Sequence, residues 1–383
     1  MGDSTSPKPA SPSSGRASPA KSPPKSASAS GSPPPATAGS SSGQAPAGTG
    51  VLEADTNALG DDSDADSAVS AGDLSDTTSV LSSIYKFREE NGRTYHSYKA
   101  DESAYFLPND EVRLTVYSYM FINLQHNICM RMQDNELFIS PAGKDKPLKR
   151  VLDCGTGTGI WAIEFADEHP EAQVVGVDLS PIQPSFVAPN VEFFIDDLEA
   201  EWNYHTKFDL IYGRLLTGSI RNWPKLIAQA FDNLNPGGYL ELCESINPIQ
   251  SDDGTLKDDS AILRWNRMLV VASEKLGASL NSGRSYKQQL LDAGFEDVTQ
   301  VEYKWPLNAW PKDAKYKELG TWTFVNMISG IQAVSLMLFT NILGWSAEEV
   351  EVLLVDVRKE AKNKDIHAYW PVYVVYGRKP EAE

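Results

Sequence analysis

The chain has 383 residues, 41% of them hydrophobic, enough for one large α/β domain with appendages. Its formal net charge of −18 is spread over the chain: residues 1–77 carry 4 basic and 9 acidic side chains, the remainder 30 and 43. Nothing in so acidic a chain reads as a basic cluster, so no direct nucleic-acid partner is expected. Three unspaced cysteines, Cys129, Cys154 and Cys243, argue against a disulfide framework or a metal site.

Residues 1–50 are almost wholly Ser, Pro, Ala and Gly, an acidic stretch follows, and no aromatic residue precedes Tyr85. Such a segment cannot bury enough apolar surface to offset its ordering entropy, so residues 1–78 are expected to be disordered. Ser-Pro pairs beginning at Ser6, Ser11, Ser18, Ser22 and Ser32 suit either a phosphorylation-tuned tail or merely a solvated one. Met1-Gly2 with Ser6 formally fits an N-myristoylation pattern, but Asp3 weighs against it. The N-terminus lacks the apolar core of a secretory leader, so the expected compartment is the cytoplasm, the nucleus or both.

Order is expected from about residue 79. Residues 91–110 are rich in Tyr and poor in regular pattern, whereas residues 112–132 carry apolar side chains at helical spacing. From Arg150 to Glu244 strand-like and helix-like runs alternate, which implies a parallel sheet. Helices are expected at 223–234, 261–276 and 286–293, with a sixth core strand at 295–305 and a seventh at 371–377. Between those two strands, residues 316–343 read as a helix, and its apolar run 327–343 is too short and too polar to span a bilayer. Ser346 to Glu349 then reads as a capping box that opens a second helix. This long insertion is either a cap over a binding site or extra packing at the sheet edge.

The chemistry begins at Val151-Leu152-Asp153-Cys154-Gly155-Thr156-Gly157-Thr158-Gly159. A short apolar strand ends in alternating glycines and runs straight into a helix, an arrangement that offers free N–H groups and a positive dipole end to an anionic ligand. A second strand ends in Asp178, about 20 residues past the glycines, where a carboxylate reaches a ribose diol. A third ends in Asp196-Asp197-Leu198 and a fourth in Gly213-Arg214. Dinucleotide turns place the third glycine inside the helix, Gly-x-Gly-x-x-Gly, so an NAD-dependent dehydrogenase is the rival reading.

Asp153-x-Gly-x-Gly-x-Gly followed by an acid-ended second strand resembles motif I of the class I S-adenosylmethionine-dependent methyltransferases. Leu234-Asn235-Pro236-Gly237-Gly238 looks like their turn into the fifth strand. Asn91-Gly92-Arg93-Thr94-Tyr95-His96-Ser97-Tyr98, Gly159-Ile160-Trp161-Ala162-Ile163 and Val177-Asp178-Leu179-Ser180-Pro181-Ile182-Gln183-Pro184 narrow the resemblance to the fungal LaeA-like members. The resemblance implies a Rossmann-like α/β fold with a seven-stranded, mostly parallel sheet. It also implies an N-terminal helical or lid segment (79–148), a cofactor-binding core (149–244) and a helical cap insertion (307–368) between strands six and seven. The implied cofactor is S-adenosyl-L-methionine, and the implied partners are a small-molecule or protein methyl acceptor or a regulatory protein complex, with no membrane.

By the same resemblance, Gly155, Gly157 and Gly159 line the methionine and ribose end, and Asp153 orients the turn or the amino group. Asp178 takes the ribose hydroxyls and Leu179 packs on the adenine. Asp197, with Leu198, reads the adenine amino group, with Asp196 as the alternative. Arg214 serves the cofactor carboxylate or an acidic acceptor, unless it forms a structural ion pair. His96 is the candidate general base. Trp305, Trp310, Trp322, Trp345 and Trp370 either line an aromatic acceptor pocket or belong to the core. Two functions follow: an active methyltransferase, or a cofactor-binding regulator that works through partners.

Overall fold

The computed structural model describes residues 50–55, 87–90, 93–96 and 114–382, with side chains in 50–55 and 122–382. Strands β1 (Phe87–Glu90) and β2 (Arg93–His96) pair antiparallel, with Glu90 opposite Arg93. This corrects the expectation of irregular chain at residues 93–96, while residues 97–110 lie outside the described residues. The two residues left between the strands are Asn91-Gly92, the pair best suited to a tight hairpin. Helix α1 (Leu114–Met132) follows as expected.

The main sheet contains β3 (Arg150–Cys154), β4 (Gln173–Asp178), β5 (Val191–Ile195), β6 (Phe208–Arg214), β7 (Leu234–Ser245), β8 (Glu296–Pro306) and β9 (Tyr369–Arg378). Their order across the sheet is β5-β4-β3-β6-β7-β9-β8, and only β9 runs against the rest. The central strands are buried on both faces, which is why they read as continuous apolar runs rather than as alternation. Helix α2 (Ile160–Glu168) links β3 to β4, and α3 (Trp223–Asn233), capped by the Asn222 side chain, leads into β7. At the Pro-Gly-Gly segment the β6–β7 register jumps from Phe208 opposite Leu234 to Leu210 opposite Tyr239. Gly237 there has φ 77, and a Cβ on Gly238 would lie 2.9 Å from the Asn235 carbonyl oxygen.

Because chain order reverses at β3, between neighbours β4 and β6, the carboxyl ends of β3 and β6 frame the crevice where open α/β sheets bind ligands. Four further helices follow in the chain. Helix α4 (Ala261–Leu276) follows β7, and α5 (Tyr286–Asp292) returns to β8. Helices α6 (Ala314–Asn341) and α7 (Ala347–Lys362) form the insertion, with the Ser346/Glu349 capping box in place. The insertion leaves at Pro306, opposite Tyr369, so both of its ends lie at the carboxyl end of the parallel strands.

By length and composition α6 could cross a membrane. Its apolarity is used within the protein: Met327, Ile331, Leu336, Leu338 and Phe339 are buried in one core with Ile262 and Leu269 of α4 and Val350, Leu354 and Val357 of α7. A second core joins α1 to the outer strands through Ile128, Cys129, Met132, Cys243, Val301, Tyr303 and Leu319.

The expectation of disorder throughout 1–78 is corrected at residues 50–55. The Asp55 N–H donates to the Trp310 carbonyl (2.8 Å), and the Lys312 N–H donates to the Glu53 carbonyl (2.6 Å). Lys317 pairs with Asp55 and Lys312 with Glu53. Backbone pairing to a partner distant in sequence leaves no trace in local composition, which is why the acidic stretch reads as featureless. The Ser-Pro pairs lie outside the described residues.

Candidate active site

Gly155, Gly157 and Gly159 all adopt left-handed backbone, at φ 66, 57 and 82, a conformation that costs little only for glycine. The protein itself closes two of these positions. A Cβ on Gly155 would lie 2.2 Å from Leu216 Cδ2, and one on Gly159 would lie 2.4 Å from Phe193 Cζ. At Gly157 the nearest atom is Ile122 Cγ2 of α1, at 3.5 Å. Gly159 is the N-cap of α2 and supplies no side-chain cap, so the first N–H groups of that helix lack a side-chain partner there.

Two acids hold the turn. Asp153 is buried, and its Oδ2 accepts from Thr156 Oγ1 at 2.5 Å. Burial pushes its pKa up to about 6, although the Thr156 hydrogen bond and the Arg214 charge both oppose the rise. Half-buried Asp178 accepts from the Gly157 N–H through Oδ2 (2.8 Å) and from the Ser180 N–H through Oδ1 (2.9 Å), tying the end of β4 to the middle glycine. Burial raises its pKa against its backbone hydrogen bonds from Ser180, Gly157 and Leu179. Gln183 Nε2 donates to the carbonyls of Gly157 (2.7 Å) and Ser180 (2.9 Å), closing the loop from the other side.

Leu179 is half-buried. Asp197 Oδ1 accepts from the Glu199 N–H, and Asp196 Oδ1 accepts from the Asp197 N–H. The Leu198 side chain is turned into the core with Trp223 and Leu226. Asp153, the three glycines, Asp178 and Arg214 thus come together at adjacent strand ends, while Asp197 and Leu198 follow β5, one strand further out.

Arg214 closes β6 with its side chain half-buried, and among the described residues no carboxylate lies within ion-pair distance of its guanidinium. Its Nη2 lies 3.2 Å from Nδ1 of His126 on α1. His126 is 1% exposed, and its Nε2 lies 2.8 Å from Glu164 Oε2 on α2. Three residues earlier on α1, Asn123 Oδ1 accepts from Thr158 Oγ1 (3.1 Å). Helix α1 therefore lies along the glycine turn.

Among the described side chains, the histidine at the site is His126. His96 ends β2 opposite Phe87, and its side chain and the whole of Tyr98 lie outside the described residues. The sequence signal for His126 is a histidine on the apolar face of a helix, spaced from Ile122 and Cys129 by four and three residues.

Two further acids are invisible to sequence reasoning. Glu244 at the end of β7 is fully buried, and its Oε1 accepts from the N–H groups of Leu216 (2.7 Å) and Thr217 (3.1 Å), anchoring the loop after Arg214. Burial pushes its pKa up to about 8. Glu241 likewise accepts from Ile139 and Ser140 N–H groups, and burial lifts it to about 7.

The tryptophans divide. Trp305 donates to Met132 Sδ and Trp310 to the Ala368 carbonyl, both buried. Trp345 packs against Phe339, and Trp370 donates to Asn247. Trp322, half-buried, lies against the core that joins α1 to α6.

The architecture and site geometry agree with the chain's similarities. A family profile described as "Methyltransferase domain" matches residues 124–300. The methyltransferase pytC of Aspergillus terreus is 42% identical over 307 residues, covering 80% of this chain and 92% of pytC. The probable methyltransferase tdiE of Emericella nidulans is 37% identical, covering 68% of this chain and 81% of its own length. LaeA of the same organism, named a protein-methionine methyltransferase, is 36% identical and covers 77% of each chain. The chain belongs to the fungal LaeA-like class I S-adenosylmethionine-dependent methyltransferases.

Proposed function

We propose that this protein transfers a methyl group from S-adenosylmethionine to a small molecule or a protein side chain, within fungal secondary metabolism. The cofactor reading rests above all on Arg214: a half-buried guanidinium without a carboxylate partner among the described residues, beside a glycine turn and an uncapped helix N-terminus. A cation so placed calls for an anion, and the carboxylate of the cofactor's methionine end supplies one. Asp178 is bonded here by backbone donors, and a carboxylate's lone pairs leave room for the ribose hydroxyl that the reading requires.

When bound, S-adenosylmethionine supplies an activated methyl group, which leaves binding, alignment and exclusion of water to the protein. Arg214 would hold the carboxylate, Gly157 and the start of α2 would lie along the methionine end, and Asp178 would hold the ribose. Leu179 and Asp197 would flank the adenine. The insertion, with Trp322 against α1, would wall the acceptor side. Three buried, unpaired cysteines suit a reducing compartment, cytoplasm or nucleus. The Ser-Pro tail favours one further element, a regulatory protein complex reached through residues 1–49.

The test is calorimetry of the full chain with S-adenosylmethionine and S-adenosylhomocysteine, followed by labelled-methyl transfer into a fungal extract. Micromolar binding and a labelled product are expected. Gly157→Val, strained at φ 57 and facing α1, should abolish binding. Absence of cofactor binding in the wild type would overturn the reading. Trp322→Ala should impair transfer more than binding, and equal loss of both would remove the insertion from the acceptor site.

A further inference from the structure

The cofactor reading leaves one question at Arg214. A long, flexible guanidinium must be aimed before it can hold a carboxylate tightly, because freezing its rotamers on binding costs affinity. Among the described residues its guanidinium lies at hydrogen-bond distance from His126, with the buried Cys129 thiol, one turn further along α1, beside it. Arginine only donates hydrogen bonds, so His126 Nδ1 must be the acceptor there. A neutral imidazole then carries its proton on Nε2, which lies 2.8 Å from Glu164 Oε2 and donates to it. Both ring nitrogens are thereby assigned by their neighbours. Burial first, and the Arg214 charge second, depress the His126 pKa to about 3, so the Nδ1 lone pair is available throughout the working pH range.

Resting on the cofactor reading above, we propose that His126 is a positioning residue: through the chain Glu164–His126–Arg214 it aims the guanidinium at the cofactor's carboxylate. Helix α1 is fixed firmly enough for this. Asn123 is bonded to Thr158 in the glycine turn, and Ile122 lies against Gly157. At the other end, Arg131 pairs with Glu318 (2.8 Å) and Met132 accepts from Trp305, which locks α1 to the insertion and to β8. His126 is one helical turn from Ile122, on the same face, so the contact that seats α1 on the turn also sets the register of the imidazole.

The plain alternative is a buried histidine satisfied by its neighbours, whose loss would loosen the whole site. A pair of ligands separates the two. S-adenosylhomocysteine carries the amino-acid carboxylate; 5′-methylthioadenosine shares the nucleoside but lacks it. In the full chain, His126→Leu fills the space without an acceptor, and His126→Asn restores an acceptor near the Nδ1 position. Expected by calorimetry is a loss of about tenfold or more in S-adenosylhomocysteine affinity for His126→Leu, the scale of one charged hydrogen bond. Affinity for 5′-methylthioadenosine should stay within about threefold of wild type, and His126→Asn should recover most of the loss. Arg214→Met should show the same selective loss, and the double variant no further one.

Equal loss of both ligands, or no loss in His126→Leu, would overturn the inference. If His126→Leu does not fold, Glu164→Gln decides: a selective loss of about twofold to threefold supports the chain, and equal effects on both ligands refute it. A wild type that binds neither ligand, or an Arg214→Met variant that binds both as the wild type does, would instead sink the cofactor reading itself.

Discussion

The glycine turn and the helical layer of α4, α6 and α7 meet the same end of the sheet and are built on opposite principles. The turn is held by backbone: three left-handed glycines, a carboxylate shared between the N–H groups of Gly157 and Ser180, and a glutamine amide on two carbonyls. Leu216, Phe193 and Ile122 pack against the three glycines, but the bend itself is set by the backbone and its hydrogen bonds. The helical layer is held by apolar burial from α4, α6 and α7, with a buried Trp265–Ser335 bond inside it and polar contacts such as Glu360 on the Ala261 and Ile262 N–H groups at its edges. The turn should therefore fail by losing ligand while staying folded, and the layer should fail by losing stability while the turn still binds.

The largest effect expected from this contrast is Phe339→Ala. Its ring is fully buried between the insertion helices, so its loss should cost about 3–5 kcal/mol in denaturant unfolding. Cofactor affinity of the protein that remains folded, measured at low temperature, should stay near wild type. A matching loss of affinity would show that the two regions are energetically one.

Asp178→Ala is the converse. It should weaken S-adenosylmethionine by about 1.5–3 kcal/mol, the range for a charged hydrogen-bond partner, and lower the melting temperature far less than Phe339→Ala does. Calorimetry with unchanged affinity would remove Asp178 from the ribose site.

Glu244 sharpens the comparison through pH. Its pKa is raised in the fold to about 8 by burial, above its unfolded value near 4.5. Between those values the folded state binds the extra proton, so stability falls as pH rises. Glu244→Gln keeps an acceptor for Leu216 and Thr217 and removes the titration. It should gain about 4 kcal/mol over wild type at pH 8.5 and less than about 1 kcal/mol at pH 5. An equal difference at both pH values would refute this account.

The smallest effect concerns the N-terminus. Deleting residues 1–49 should leave the melting temperature unchanged. Deleting 1–77 should lower it by about 2 °C, because two backbone hydrogen bonds, the exposed Lys312–Glu53 pair and the partly buried Lys317–Asp55 pair are lost, net of the entropy regained. Identical melting for the two truncations would mean that the docked 50–55 segment contributes nothing.

Several features are legible in the chain itself because their causes are local. Alternating glycines after an apolar strand need no tertiary partner to bend, and β3, β4, β5 and β6 lie where their apolar runs end. The Ser346/Glu349 box caps α7 through bonds spanning three residues. The β1–β2 hairpin is equally local, since Asn91-Gly92 stands between its strands. Its flanking residues are nonetheless too polar to read as strand, so the turn signal alone does not announce it.

Sequence by itself determined the α/β alternation, the cofactor turn with Asp153, Asp178 and Arg214 at its strand ends, and the existence of a two-helix insertion. Only the tertiary structure decided that a buried helical histidine faces Arg214, that Glu244 holds the loop beyond it, and that residues 50–55 pair with the base of the insertion. Each of these joins groups far apart in the chain, by 88, 28 and more than 200 residues. Such contacts depend on how whole elements pack, a property that local pattern does not encode.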